Sequence, residues 1–103
     1  MSTLVAVRQE WAEGNRRLES EREDPRRYRL LRVQTAAIAE ELRRRIGSVF
    51  TLSELADEYR RAERWSREVF AELPPEAQWA PGLTVAVDAA FHQFARGARD
   101  YEP

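Results

Sequence analysis

The stretch FTLSELADEYRRAERWSREVFAEL, residues 50–73, decides the fold of this chain. Thr51 and Glu54 have the spacing of a capping box, in which two residues satisfy each other's end groups at the start of a helix. Phe50 and Leu55 flank them as a hydrophobic staple. Apolar residues then recur at helical spacing until two prolines end the pattern. The stretch therefore predicts one long amphipathic helix, whose apolar face holds Leu55, Tyr59, Ala62, Trp65, Ser66, Val69, Phe70 and Leu73.

The start of this stretch also resembles a known motif. Residues 50–59 resemble the first helix of a helix-turn-helix, which often has the pattern T-x-x-E-L-A. That motif next needs a small turn residue, usually Gly, near position 60. The chain has Arg60 there, and helix-favouring residues continue to Trp65. We therefore predict one continuous helix in place of the two helices of that motif.

Three further helices are predicted from apolar spacing and end signals. The first covers about residues 3–22, with Gly14 in line with its apolar stripe as a point of close approach or a weak point. The second begins at Asp24 and Pro25, because Asp favours the N-cap and Pro the first helical position. It ends at Gly47, a typical C-terminal cap.

The last helix follows the Pro-rich segment of residues 74–82, in which Pro75 to Trp79 has room for a single helical turn. Thr84 is its expected N-cap, and its apolar positions run to Ala98. Alternating strand patterns are absent from the sequence. We predict an all-α fold, a small four-helix bundle with short loops.

Length and composition exclude several classes of protein. A chain of 103 residues is expected to form one domain, residues 1–103. The absence of Cys excludes disulfide scaffolds, thiolate zinc sites and cysteine nucleophiles. The start of the chain lacks the basic lead and long apolar core of a signal peptide, and no stretch approaches the roughly 18 apolar residues of a membrane span. We expect a cytoplasmic protein without a membrane partner.

The basic residues are all arginine and are unevenly distributed. Residues 26–67 contain eleven Arg and six acidic residues, whereas residues 68–103 contain two Arg and six acidic residues. The formal net charge of −1 hides this basic centre. Phosphates or acidic partners bind at such zones, so the pattern bears on function.

The second helix is apolar on two sides. Its main stripe is Leu31, Thr35, Ile38 and Leu42. At about 100° per residue, a second apolar face lies nearly opposite, consisting of Leu30, Val33 and Ala37. Either the helix is central and packed on both sides, or the second face binds a partner or a second copy. These three residues and Trp79, which either plugs the bundle end or is an exposed anchor, are the candidate partner-binding residues.

Two arginine stripes form the other candidate surface. One lies on the second helix and one on the third, and the candidate nucleic-acid or acidic-partner contacts are Arg29, Arg32, Arg60, Arg64 and Arg67. The planar guanidinium group suits phosphate and carboxylate. The alternative is a solvated face with ion pairs between helices, to the acidic first and fourth helices. The overall pI of about 5.9 weighs against nucleic-acid binding.

His92 is the sole histidine, with Asp88 one helical turn before it. We expect it to be partly exposed and hydrogen-bonded to Asp88. One His gives too few ligands for a transition-metal site, and the sequence has no phosphate loop and no HExxH or GxSxG motif. We therefore predict no catalytic residue, no metal and no cofactor.

Together these patterns predict a non-enzymatic helical protein-interaction module, of regulatory or adaptor type, that docks a protein partner or forms a homo-oligomer. The alternative is a nucleic-acid-associated regulatory protein that uses the arginine stripes. A third alternative is a small enzyme centred on His92.

Overall fold

The computed structural model describes residues 4–78 and 82–101, and only the backbone of residues 82 and 83. Four α-helices form the fold: α1 Leu4–Ser20, α2 Pro25–Ile46, α3 Leu52–Ala71 and α4 Gly82–Ala95. Short 3-10 turns over Glu21–Glu23 and Pro75–Ala77 lie in two of the connections. Within the described ranges the structure has no strand. The predicted all-α four-helix bundle is confirmed.

The boundaries of α2 follow the predicted end signals. The Asp24 side chain accepts a hydrogen bond from the Arg27 backbone N–H at 3.3 Å, and Pro25 occupies the first helical position. At the other end, Gly47 has a φ of 76°, a conformation that favours glycine. Its N–H donates to the Arg43 carbonyl at 3.2 Å. Sequence signals therefore fix both ends of this helix.

The ends of α1 and α4 differ from prediction. The α-helical part of α1 stops at Ser20, and the chain continues as a 3-10 turn. The assignment of Thr84 as the N-cap of α4 is wrong, because the helix already begins at Gly82. It ends at Ala95, and turns follow up to Asp100. A side-chain cap contributes only about 1 kcal/mol, so packing of the buried residues that follow decides where α4 begins.

Helix α3 is continuous through position 60, as predicted. Thr51 is its N-cap: its Oγ1 accepts the Glu54 backbone N–H at 3.1 Å. The reciprocal half of the capping box differs, because the Glu54 carboxylate accepts from the Thr51 hydroxyl at 3.1 Å. The carboxylate of Asp100, which lies after α4, accepts a hydrogen bond from the Leu52 backbone N–H at 2.8 Å. The start of α3 thus has one local and one distant cap.

We expect Thr51→Ala to lower the free energy of unfolding by about 1 kcal/mol, because the Glu54 N–H loses its cap. Urea denaturation measures the change. Ser53→Ala is the matched control, since Ser53 is exposed in the same helical turn, and we expect it to leave the midpoint unchanged. An unchanged midpoint for Thr51→Ala would show that the cap does not form.

Helix α4 is the centre of the core. Every residue from Val85 to Phe91 is buried, including the acidic Asp88. An aromatic cluster surrounds Phe91, whose ring centroid lies 5.2 Å from Tyr59, 5.5 Å from Trp11 and 6.4 Å from Trp65. Helices α1, α2 and α3 all contact α4. This arrangement joins the three outer helices through one apolar helix.

Helix α1 approaches α4 closely at Gly14. A Cβ atom built at Gly14 would lie 2.2 Å from the Asp88 Cβ, far inside contact distance. Gly14 is therefore a point of close approach, one of the two alternatives that its place in the apolar stripe suggested.

Candidate interaction surfaces

The main stripe of α2 faces the core, and its second face is only partly covered. Leu31, Ile38 and Leu42 are at most 2% exposed. Leu30 and Ala37 are half-buried, whereas Val33 is 42% exposed. The 3-10 turn at residues 75–77 covers the adjacent side of the helix, where the buried Gln34 Nε2 donates to the Ala77 carbonyl at 2.8 Å. The second face is thus closed on one side and open at Val33.

Charged residues of opposite sign lie on either side of Val33 along α2. Arg29 is exposed and makes no ion pair with any residue in the described ranges. Glu40 is also exposed, and its only ion pair there is a long contact of 3.5 Å to Arg44. On the helical projection both charges lie within about 40° of Val33. The open part of this face therefore has an apolar centre with Arg29 on one side and the Glu40–Arg44 pair on the other.

The arginines of the two stripes have different surroundings. Arg60 and Arg64 line a cleft along α3 together with Arg45 of α2, and Glu63 and Glu68 line the same cleft. Arg32 instead donates to the Tyr28 hydroxyl at 3.0 Å and lies over its ring. That hydrogen bond lowers the pKa of Tyr28.

Most charges of the α3 stripe are balanced locally. Arg60 pairs with Asp57, and Arg67 pairs with Glu63 at 3.2 Å. Arg64 has no ion pair among the described residues. These pairs lie within one helix, not between the basic centre and the acidic helices. Nearby acids therefore reduce the charge that α3 can offer to phosphate.

Trp79, the fourth candidate partner-binding residue, lies outside the described residues. The segment before it forms the 3-10 turn Pro75–Ala77, part of the single turn predicted for residues 75–79.

The prediction of a hydrogen bond between His92 and Asp88 is wrong. His92 is half-buried, as predicted, but Asp88 Oδ1 accepts its hydrogen bond from the Tyr59 hydroxyl at 2.7 Å. Burial lowers the pKa of His92, and the charges of Arg96, Arg16 and Arg8 lower it further. Packing of α3 against α4 brings Tyr59 to Asp88, and a pattern within one helix does not show this.

Sequence reasoning missed the polar cluster of Asp88, Tyr59 and Glu10. The Tyr59 hydroxyl lies 2.7 Å from Asp88 Oδ1 and 3.3 Å from Glu10 Oε2, so two carboxylates approach one hydroxyl group. Burial raises the pKa of Asp88 to about 6, against the opposing effect of the Tyr59 hydrogen bond. Burial and Asp88 also raise the pKa of Tyr59. The sequence held one signal: Asp88 is the single charge within the apolar run of residues 85–91.

In the described part of the chain, the His, Asp and Glu residues form no group of three or more that could hold a metal ion. None of the helices there is long and apolar enough to cross a membrane. No protein-family model, curated protein or solved structure matches this chain.

Proposed function

We propose that this chain is a non-enzymatic helical interaction module, a cytoplasmic regulatory or adaptor protein, which self-associates through the second face of α2. The partial exposure of Val33 on that face is the observation that carries the proposal. Val33 is one of three large hydrophobic side chains that are exposed in the described part of the chain. The others, Val5 and Val49, lie on different elements.

The charges beside Val33 favour a second copy of the chain as the partner. Closed dimers have two-fold symmetry, and each copy uses the same surface patch. If two α2 helices pair antiparallel with the axis between residues 34 and 35, Arg29 of each copy faces Glu40 of the other. Val33 then lies opposite residues 36 and 37, which are both alanine. This pairing thus gives opposite charges at Arg29 and Glu40 and small side chains opposite Val33.

We expect Val33→Glu to convert a dimer into a monomer while helicity is unchanged. The substitution places a charge in the apolar centre of the patch, where burial without a partner is costly. Analytical ultracentrifugation gives the mass, and circular dichroism gives the helix content.

Ser53→Glu is the matched control, because it adds the same charge at an exposed position in the first turn of α3. We expect it to leave the mass unchanged. If Val33→Glu instead unfolds the chain, the second face belongs to the core of the monomer. A monomeric native protein would also contradict the proposal.

The alternative, a nucleic-acid-associated protein, predicts a different result. Phosphate binding by Arg60 and Arg64 would produce affinity that falls steeply with salt, because neutralised phosphates release counterions. We expect little binding to DNA or RNA at physiological salt in a gel-shift titration, since Arg60 is paired with Asp57. Submicromolar binding that salt weakens, and that the double variant Arg60→Glu, Arg64→Glu abolishes, would favour the alternative.

A further inference from the structure

The hydroxyl group of Tyr59 joins three helices at one point. Tyr59 lies on α3, and its oxygen is 2.7 Å from Asp88 Oδ1 on α4 and 3.3 Å from Glu10 Oε2 on α1. A phenolic hydroxyl has one proton to donate, and an ionised carboxylate has none. Tyr59 therefore serves one carboxylate at a time. The shorter distance identifies Asp88 as its acceptor when both carboxylates are ionised.

One added proton reverses the hydrogen bond between Tyr59 and Asp88. A protonated carboxyl group is a donor, so Asp88 with a proton on Oδ1 donates to the Tyr59 oxygen. The Tyr59 O–H then rotates to Glu10, whose ionised carboxylate accepts it. Both arrangements use the same oxygen–oxygen distances, so the three helices keep their positions.

The surroundings favour uptake of this proton at Asp88. Asp88 is 8% exposed and forms no ion pair with any described residue, whereas Glu10 is exposed on α1. The backbone of α1 at Gly14 lies directly against Asp88 and shields it from water. Burial disfavours the ionised form of a carboxyl group. The pKa of Asp88 is accordingly raised to about 6, and the negative charge of Glu10 contributes to that increase.

Few other charges act on Asp88. Arg17 of α1 favours the ionised form and opposes the rise in the pKa of Asp88. The remaining charged residues that line the two clefts at Asp88 are already in ion pairs, and these are Glu13 and Arg16 on α1 and Arg60, Glu63 and Arg67 on α3. On α4 itself, His92 lies one turn further along and lines a different cleft. None of the described residues that line the two clefts at Asp88 belongs to α2.

We propose that the Tyr59 hydroxyl is a proton-operated switch between α4 and α1. When Asp88 is ionised, the hydroxyl donates to Asp88, and Glu10 receives no hydrogen bond from it. When Asp88 takes up a proton from water, the hydroxyl donates to Glu10 and links α3 to α1. The switch is separate from the proposed surface for self-association on α2.

The carboxyl carbons of Asp88 and Glu10 report the two sides of the switch in ¹³C NMR spectra. We expect the Asp88 carbon to titrate near pH 6. The Glu10 carbon should show a step at the same pH, in addition to its own titration, because its hydrogen bond to Tyr59 forms there. In Asp88→Asn this step should be absent.

The variants separate the switch from a direct effect of charge. Glu10→Gln should lower the pKa of Asp88, a fall of about fivefold in proton affinity, since it removes a negative charge and weakens the acceptor that Tyr59 uses. In the Tyr59→Phe background the same substitution should have a smaller effect, because only the charge is left to act. Glu13→Gln is the matched control: Glu13 is exposed on α1, lines the same cleft as Asp88 and is paired with Arg16. We expect it to leave the pKa of Asp88 unchanged.

Three results would overturn the proposal. The first is a Glu10 carbon without a step at the pKa of Asp88; this measurement uses the native chain and decides even if Tyr59→Phe does not fold. The second is an equal effect of Glu10→Gln in the native and Tyr59→Phe backgrounds, which would show that Glu10 acts by its charge alone. The third is an equal effect of Glu13→Gln, which would indicate the overall charge of α1.

Discussion

Gly14→Ala is expected to lower the free energy of unfolding by about 2–3 kcal/mol, although alanine favours a helix more than glycine by about 1 kcal/mol. The new Cβ would lie 2.2 Å from the Asp88 Cβ, so α1 and α4 have to move apart. Neither atom belongs to a flexible side-chain end that can turn away. Chemical denaturation measures the loss.

Gly97→Ala is the control for this effect. A Cβ at Gly97 meets its nearest atom, the Phe94 carbonyl oxygen, at 3.5 Å, which is an ordinary contact. We therefore expect little loss of stability there. In the double variant Gly14→Ala, Asp88→Gly, removal of the opposing Cβ should restore part of the lost stability. Full stability of Gly14→Ala would contradict the close approach of the two helices.

Asp88→Asn is expected to raise the free energy of unfolding at pH 7–8 by about 1–3 kcal/mol. Asp88 is 8% exposed and has no ion pair among the described residues, so its negative charge is costly in the folded protein. Asparagine retains an oxygen that accepts the Tyr59 hydrogen bond. Its new N–H group has access to water, because the residue lines two open clefts.

The effect depends on pH in a definite direction. The pKa of Asp88 is about 6 in the folded protein, above its ordinary value of about 3.9. The folded protein therefore holds the proton more tightly, and the contribution of Asp88 to stability is lost as pH rises through 6. We expect the gain from Asp88→Asn to be near zero at pH 4, to grow up to about pH 7 and to be constant above it.

Asp57→Asn is the matched control, because Asp57 is about half exposed and already paired with Arg60. Its effect should not grow with pH in this way. Equal stability of the native chain and Asp88→Asn across the whole range would show that the Asp88 charge is not buried. The packing of Tyr59 and Gly14 against Asp88 would then be wrong as well.

The helices could be predicted from the sequence because their signals are local. Asp24, Gly47 and Thr51 each act on residues at most four positions away, and all three mark the helix ends as expected. Thr84 misled the prediction, since its preference for a cap is weaker than the packing of α4. Contacts between residues far apart in the chain could not be predicted from these local signals. The hydrogen bond from the Leu52 N–H to Asp100 is an example.

The candidate surfaces were predictable only in part. Periodicity placed Val33 and Leu30 on one face, but their different exposure depends on how the turn at residues 75–77 packs beside α2. The positions of charges along α2 and α3 did not reveal which arginines have acidic partners. Three helices form the Asp88 cluster, and its residues are up to 78 positions apart in the sequence. No single-helix pattern could bring them together.

Exchange of the two charges on α2 tests the proposed antiparallel self-association most directly. Arg29→Glu alone and Glu40→Arg alone each place like charges opposite one another, so each variant should dimerise more weakly than the native chain. Mixed together, the two variants regain opposite charges at both contacts. We predict that sedimentation of the mixture shows a heterodimer as stable as the native dimer. A mixture that sediments as the sum of its two components, or a native chain that is monomeric, would contradict self-association through this face.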